Sequence, residues 1–133
     1  MKTVLVVAAH PDDEILGVGG TVARHVAEGD EVYAVILGEG QTSRSDHREN
    51  ADQGLVEELH KNTLESAAAV GFREVFFAYF PDNRFDSVDL LDIVKTIEQM
   101  IRKLKPQIIY THYSGDLNVD HQCTARAVLT AAR

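Results

Sequence analysis

The strongest constraint on the fold is the alternation of short apolar runs with segments long enough to form helices. The first run, residues 4–9, is unbroken and rich in valine, as in a strand buried on both faces. Further strands are predicted at 31–37, 74–78 and 107–111, and helices at 17–28, 55–70, 86–104 and 120–133. This alternation predicts an α/β fold: a Rossmann-like, doubly wound parallel sheet with helices on both faces, in three layers.

The order of these elements also predicts where a ligand binds. Right-handed crossovers place strands one to three outward in one direction and the fourth strand on the other side of the first. Ligands bind beyond the carboxyl ends of the strands at such a reversal. The loops that meet there, residues 10–16 and 112–119, hold the densest group of metal-ligand residues in the chain. The polar segment 38–52 is a third loop, and its length favours function or disorder.

Composition excludes several classes of function. The 133 residues fit one domain, and 44% hydrophobic with 26% charged residues is typical of an ordinary globular protein. A formal net charge of −8 argues against nucleic acid or an anionic membrane as a partner. The single cysteine, Cys123, allows no internal disulfide and favours a reducing compartment. Because the chain has neither a signal-like segment nor an apolar run of roughly 20 residues, we expect a cytoplasmic protein without an integral membrane segment.

Residues 10–13 and His121 carry the ligand types of a metal site. Zinc takes imidazole and carboxylate ligands, and a catalytic zinc site keeps one position open for water. His10 and Asp13 are close enough on a tight turn to bind one ion together, and His121 on the facing loop completes a set of two histidines and one carboxylate. Asp12, beside these ligands but facing differently, is then free to take a proton from the attacking water.

Other interpretations of these residues remain open. Histidine and aspartate just after a strand also cap helices and hold turns. Ferrous iron, as in oxygenases, or another divalent metal uses the same ligand set, although the extra carboxylate suits water activation better than oxygen chemistry. Glycines within 17–20 are similar to a dinucleotide fingerprint, but Val22 occupies the third glycine's place and the acidic cluster would repel a pyrophosphate. We expect these glycines instead to let the first helix approach the sheet closely and to leave room above the metal.

Two motifs resemble those of a known family. Ala-His-Pro-Asp-Asp-Glu at 9–14, between a valine-rich strand and Gly-Val-Gly-Gly, and the segment 111–121 resemble the signatures of the LmbE-like, or PIG-L, deacetylases, and residues 80–84 resemble the family's middle turn. These zinc enzymes remove the acetyl group from N-acetylglucosamine units on lipids, inositol, nucleotides or antibiotics. The resemblance implies that His10, Asp13 and His121 bind zinc, that Asp12 is the general base, and that a small N-acetyl sugar conjugate is the substrate.

The resemblance leaves the supporting residues less defined. Many family members have a histidine, thought to stabilise the oxyanion, at the place of Asn118, which can donate a hydrogen bond to substrate but cannot titrate. His112 is the candidate for a supporting catalytic role, with a histidine in the core as the alternative. Asp120 either orients a neighbouring group or, as we slightly prefer, caps the last helix, while Glu14 is expected to be a helix-start residue rather than a ligand.

Substrate contacts are expected from the two other loops at this edge. Arg44 in the loop 38–52 could bind hydroxyls or a phosphate, unless it is merely solvated, and Asp82 could hold sugar hydroxyls, unless it is a plain turn residue. A cap for the third helix is expected at Asp86 or Ser87.

Two hypotheses on function follow from these features. The first is a zinc N-deacetylase, and the second is a non-catalytic sugar- or metal-binding module that kept the fold but lost turnover. Residues 1–133 are expected to form one domain of the family. Because family members usually continue with strands that close the cleft, the chain is expected to be either a fragment or a minimal form completed by homo-oligomerisation.

Overall fold

The computed structural model describes residues 1–40 and 53–133. Its strands are β1 (Thr3–Ala8), β2 (Glu31–Gly38), β3 (Glu74–Phe80) and β4 (Ile108–Tyr110). Its helices are α1 (Asp13–Ala27), α2 (Gln53–Val70), α3 (Leu90–Leu104) and α4 (Val119–Ala131), with one 3₁₀ turn at Phe85–Ser87. All three strand pairs are parallel, and the order is β3-β2-β1-β4. The predicted parallel sheet, with its reversal between β1 and β4, is confirmed.

Two hydrophobic cores lie on opposite faces of the sheet, and β1 contributes to both. Its odd-numbered residues Leu5 and Val7 pack with α3 and α4, whereas its even-numbered residues Val4 and Val6 pack with α1 and α2. Because successive side chains of a strand point to opposite faces, a strand covered by helices on both sides must be apolar at every position. This is the physical reason for the valine-rich run. Within the described ranges, no helix is long and apolar enough to cross a membrane.

Three helix starts differ from the predictions. Helix α1 begins earlier, at Asp13, so the proposed ligand lies in its first turn. The third helix is not capped by Asp86 or Ser87: these residues belong to the 3₁₀ turn, and Asp89 precedes α3. Nor does Asp120 cap the last helix. The side-chain oxygen of Asn118 accepts hydrogen bonds from the backbone amides of residues 120 and 121, as an N-cap does.

A close backbone approach occurs at one glycine, but not where the sequence pattern suggested it. A Cβ on Gly38 would lie 2.5 Å from the carbonyl oxygen of Ala9, because the ends of β2 and β1 meet there. By contrast, a Cβ on Gly17 or Gly20 would meet nothing within 4 Å. The expectation that these α1 glycines allow close packing on the sheet is therefore wrong. Gly17 does line a small cavity of about 50 Å³ beside Asp13. This agrees with the expectation that these glycines leave open space next to the candidate metal ligands.

Candidate metal centre

The turn after β1 presents the two aspartates in different ways. The backbone amide of His10 donates to Oδ2 of Asp13 (3.0 Å), which holds this carboxylate over the end of the strand. Asp12 has a φ of 90° in the left-handed region, makes no side-chain cap hydrogen bond and is exposed. Aspartate adopts that region at some energetic cost, and such strain is concentrated at functional sites. The turn therefore directs Asp13 inward and leaves Asp12 free at the surface.

Three donor atoms meet at the reversal between β1 and β4. Nδ1 of His10 lies 3.3 Å from Oδ2 of Asp13. Nε2 of His121 lies 3.1 Å from that same oxygen and 3.3 Å from Nδ1 of His10. A tetrahedral ion with bonds of about 2.0–2.1 Å separates its ligands by about 3.3 Å. This donor triangle therefore has the size that a tetrahedral ion requires.

A buried carboxylate fixes which nitrogen of His10 faces the triangle. Nε2 of His10 lies 2.7 Å from Oδ2 of Asp120, whose side chain is fully buried. Because an ionised carboxylate only accepts hydrogen bonds, Nε2 must carry a proton, so Nδ1 is the nitrogen whose lone pair becomes available to a metal when the ring is neutral. Burial lowers the pKa of His10, but hydrogen bonds and charge from Asp120 and Asp13 outweigh it and raise this pKa to about 9.

His121 has an equivalent partner. Its Nδ1 lies 3.0 Å from Oδ2 of Asp116, so its Nε2 is the nitrogen that faces the triangle. That hydrogen bond lowers the pKa of Asp116. The sequence motif contains Asp116, but the sequence alone did not predict that this residue would support His121. The signal that could have identified it is the need of a ligating histidine for an acceptor behind it.

Asp120 also joins the loop after β3 to the metal centre. Its Oδ2 accepts from the backbone amide of Asn83 (2.6 Å), and its Oδ1 accepts from that of Phe85 (3.0 Å). The buried ring of Phe85 lies 6.0 Å from the ring of His10. One carboxylate thus binds both a candidate ligand and two backbone amides of the loop after β3. The preferred interpretation of Asp120 as a helix cap is therefore wrong, and the alternative, an orienting role, matches the geometry.

His112 lies against the triangle as an acceptor. Its Nε2 accepts a hydrogen bond from the backbone amide of Ala9 (2.9 Å) and is 3.6 Å from Oδ2 of Asp13. Its ring stacks on that of His121, with 3.9 Å between centroids. Burial, followed by the nearby charge of His121, lowers the pKa of His112 to about 4. This imidazole is therefore neutral at pH 7 and has no proton on Nε2 to give.

Asp82 and Asn118 lie near the centre, although neither belongs to the triangle. Asp82 is 5% exposed, and its Oδ1 is 3.6 Å from Nε2 of His10, on the side of the ring away from the other ligands. Asn118, besides capping α4, donates from Nδ2 to Oδ1 of Asn83 (3.3 Å). The structure thus brings both predicted substrate-binding residues to the same edge. Arg44 lies outside the described residues.

Glu14 occupies the first turn of α1, as expected, but its burial was not foreseen. It is fully buried, and among the described residues neither carboxylate oxygen has a hydrogen-bond partner. Burial raises the pKa of Glu14 to about 7, with nearby backbone amides opposing the effect only in part. It takes no part in the donor triangle.

Comparison with known proteins identifies the family. The family model described as PIG-L: GlcNAc-PI de-N-acetylase matches residues 5–132. The chain belongs to this family. The resemblance inferred from the two sequence motifs is therefore confirmed, and the match covers all three residues of the donor triangle.

Curated relatives and solved structures match almost the whole of this chain. A probable N-acetyl-alpha-D-glucosaminyl L-malate deacetylase 2 of Bacillus cereus is 30% identical over 133 residues, covering 98% of this chain and 60% of that protein. The conserved protein TT1542 from Thermus thermophilus is 30% identical, with a TM-score of 0.80 over 98% of this chain and 55% of the other. N,N′-diacetylchitobiose deacetylase from Pyrococcus horikoshii, at 22% identity and a TM-score of 0.84, supports the fold alone over 98% of this chain and 49% of its own. The chain thus spans 49% to 60% of the length of these three proteins.

Proposed function

We propose that this protein is a zinc-dependent hydrolase that removes the N-acetyl group from an N-acetylglucosamine-type sugar conjugate. The observation that carries the proposal is the donor triangle of His10, Asp13 and His121, with the free carboxylate of Asp12 beside it. The deacetylase names of the relatives, including the probable glucosaminyl-malate deacetylase, support the same reaction class. Family membership alone would suggest the chemistry, and the triangle supports the choice of these residues for it.

Zinc is the metal that the donor set fits best. Two imidazole nitrogens and one carboxylate oxygen are typical of catalytic zinc sites with one open position. Each histidine is also held by a carboxylate, Asp120 or Asp116, as ligating histidines usually are.

The protein's own residues supply positioning and proton transfer. When bound, zinc supplies a Lewis acid and lowers the pKa of a water towards about 7. Asp12 accepts the proton of the attacking water and returns it to the nitrogen of the leaving amine, so one carboxylate serves both steps. Because neutral His112 has its Nε2 engaged by the amide of Ala9, we assign it a positioning role behind Asp13 and His121.

Substrate binding is assigned to the loops around the triangle. Asn118 retains a second hydrogen on Nδ2 that can bind the developing oxyanion. Asp82 is proposed to bind sugar hydroxyls, and Arg44 is proposed to bind hydroxyls or a phosphate, as the sequence suggested. We further infer a single domain over residues 1–133 and a cytoplasmic location, since the two cores share β1 and the sequence holds one cysteine.

Release of acetate from N-acetylglucosamine and its glycosides, with zinc and with a chelator, tests the proposal. We expect turnover that the chelator abolishes and zinc restores. Asp12→Asn should lower kcat at least about a hundredfold while the zinc content stays at one per chain, because it removes a proton acceptor but no ligand. Asp92→Asn, at an exposed position of α3, is the matched control and should leave kcat unchanged. A zinc-loaded protein that binds these sugars without releasing acetate would instead be the non-catalytic module.

A further inference from the structure

Hydrogen bonds fix Asn118 relative to the candidate ligand His121. The backbone amide of Asn118 donates to Oδ1 of Asp116 (2.8 Å), and the other oxygen of that carboxylate lies 3.0 Å from Nδ1 of His121. The side-chain oxygen of Asn118 accepts from the backbone amides of Asp120 (2.9 Å) and His121 (3.2 Å). Asn118 is therefore bound at its backbone and at its side chain to groups that also hold His121.

The same contacts determine where the side-chain nitrogen of Asn118 points. Both groups that approach the bound side-chain atom are backbone N–H donors, so this atom must be the carbonyl oxygen and not the NH₂ group. The nitrogen, Nδ2, then faces Oδ1 of Asn83 at 3.3 Å and donates one of its two hydrogens. Because an amide group is planar, binding of the oxygen and of one N–H also fixes the direction of the second N–H.

Asn83 belongs to the part of the site that holds His10. Its backbone amide donates to Oδ2 of Asp120 (2.6 Å), and this oxygen lies 2.7 Å from Nε2 of His10. The backbone of Asn83 is in the left-handed region, with a φ of 55°. Glycine adopts this region at no steric cost, and asparagine does so more readily than most other residues. Glycine would therefore satisfy the backbone here, whereas the hydrogen bond from Asn118 requires a side chain with an acceptor.

The hydrogen bond between Asn83 and Asn118 thus joins the groups that hold two candidate ligands, His10 and His121. A donor that is bound on both sides keeps its direction while charge develops on a substrate. Such a preorganised donor stabilises an oxyanion more than a mobile one does, because no reorganisation is needed when the charge appears. The direction of the second N–H of Asn118 therefore depends on a residue of the loop after β3.

The proposed reaction develops negative charge on the acetyl oxygen. Attack of water on the acetyl carbon forms a C–O bond and moves the π electrons of the carbonyl onto its oxygen, while Asp12 takes the proton of the water. When the C–N bond breaks, the carbonyl forms again and Asp12 returns the proton to the amine nitrogen. A donor directed at this oxygen therefore acts in the transition state and contributes little to binding of the uncharged amide.

We infer that Asn83 is a positioning residue: it holds the amide of Asn118 so that the second N–H of that amide donates to the oxyanion. This inference rests on the proposed function, because it places the acetyl carbonyl at the donor triangle. Asn83 acts through Asn118 and not by contact with the substrate or the metal. Removing the side chain of Asn83 should therefore weaken binding of the transition state without weakening binding of the amide substrate.

Asn83→Gly removes the acceptor and keeps the backbone amide that donates to Asp120. The probes are the methyl glycoside of N-acetylglucosamine and its methylphosphonamidate analogue, whose tetrahedral phosphorus carries a charged oxygen as the transition state does. In calorimetry on the zinc-loaded protein, the variant should bind the analogue about tenfold more weakly and the N-acetyl glycoside as well as the parent does. Its kcat should fall by the same factor, with KM and the Kd for zinc unchanged. Lys105→Gly, which also places glycine at a left-handed position (φ 49°), is the matched control and should change none of these values.

Two further measurements separate positioning from a structural role. Asn118→Ser keeps an oxygen that can cap α4 but removes the amide, so Asn83→Gly should weaken binding of the analogue no further in that background. In the metal-free protein, loss of the acceptor should shift the NMR signal of one Nδ2 proton of Asn118 upfield. Lys105→Gly should leave both proton signals in place.

The other possible results contradict the inference or the proposed function. Asn83→Gly overturns the inference if it fails to fold, leaves the Kd of the analogue unchanged, weakens both ligands equally, or weakens zinc binding by the same factor. So does a full effect of Asn83→Gly in the Asn118→Ser background, or a parent protein that binds neither glycoside. Weaker binding of the analogue alone, in a protein that releases no acetate, would uphold the role of Asn83 and reject the proposed function. Acetate release with equal Kd values of the analogue for parent and variant would uphold the proposed function and reject the role of Asn83.

Discussion

Replacing Asp120 by asparagine separates the role of this carboxylate from that of a helix cap. In the protein, its two oxygens accept from Nε2 of His10 and from the backbone amides of Asn83 and Phe85. Asparagine has one carbonyl oxygen, so its NH₂ group must face a donor in either orientation. An unsatisfied buried N–H costs about 1–3 kcal/mol, and the remaining hydrogen bonds lose charge assistance worth about 1 kcal/mol. We expect the free energy of unfolding to fall by about 2–4 kcal/mol.

The same substitution should weaken zinc binding. An asparagine whose NH₂ group faces Nε2 of His10 stabilises the tautomer that carries its proton on Nδ1. Nδ1 is the nitrogen that a metal needs, and in this tautomer its lone pair is occupied by the proton. Loss of such a partner typically lowers metal affinity by about 10–100-fold. Urea unfolding of the metal-free protein and competition for zinc with a chromophoric chelator measure the two effects. Glu65→Gln, on the exposed face of α2, is the control and should change stability by less than about 0.5 kcal/mol.

An Asp120→Asn variant that keeps its unfolding free energy within about 1 kcal/mol and its zinc affinity within about threefold would refute this reasoning. That result would mean that the 2.7 Å contact does not hold the tautomer of His10 and that the loop 81–85 has other anchors. A loss of stability with unchanged zinc affinity would reject only the orienting role.

Three further predictions concern protons and packing. Because Asp120 and Asp13 raise the pKa of His10 to about 9, zinc must displace a proton from it at lower pH. The apparent zinc affinity, measured by calorimetry in buffers of different pH, should therefore rise about tenfold per pH unit between pH 7 and 9; a flat profile would contradict this. Gly38→Ala should destabilise the fold by about 3 kcal/mol in urea, because its Cβ would meet the Ala9 carbonyl, whereas Gly20→Ala in α1 should stabilise it by about 0.5–1 kcal/mol. Burial raises the pKa of Glu14 to about 7, so its ionisation destabilises the fold as the pH rises from about 4.5. Relative to the metal-free parent, Glu14→Gln should gain up to about 3 kcal/mol of stability between pH 4 and pH 8, and a difference independent of pH would show that this carboxyl is solvated.

Much of the metal centre follows from local sequence together with topology. The valine-rich run of residues 4–9 requires a strand covered on both faces, and the alternation of elements determines the order of the sheet. Once β1 and β4 are neighbours, the loops that follow them must meet. His10, Asp13 and His121 could therefore be grouped as ligands before any distance was known.

The residues that hydrogen-bond to those candidate ligands could not be assigned in the same way. Asp120 and Asn118 are both good helix caps, and a sequence contains no information on which of two neighbouring caps is buried. That choice depends on the loop 81–85, whose backbone amides approach α4 across 35 and 37 residues of chain. Similarly, Glu14 looks like an ordinary acid of a helix start until packing against the sheet removes it from water.

The sequence by itself thus determined the layers of the fold, the order of its strands and the grouping of the three candidate donors, because these depend on periodicity and on the meeting of strand ends. Only the tertiary structure decided which nitrogen of each histidine faces the donor triangle. A side chain's tautomer depends on the group hydrogen-bonded to its other nitrogen. For His10 that group is Asp120, which lies 110 residues away along the chain.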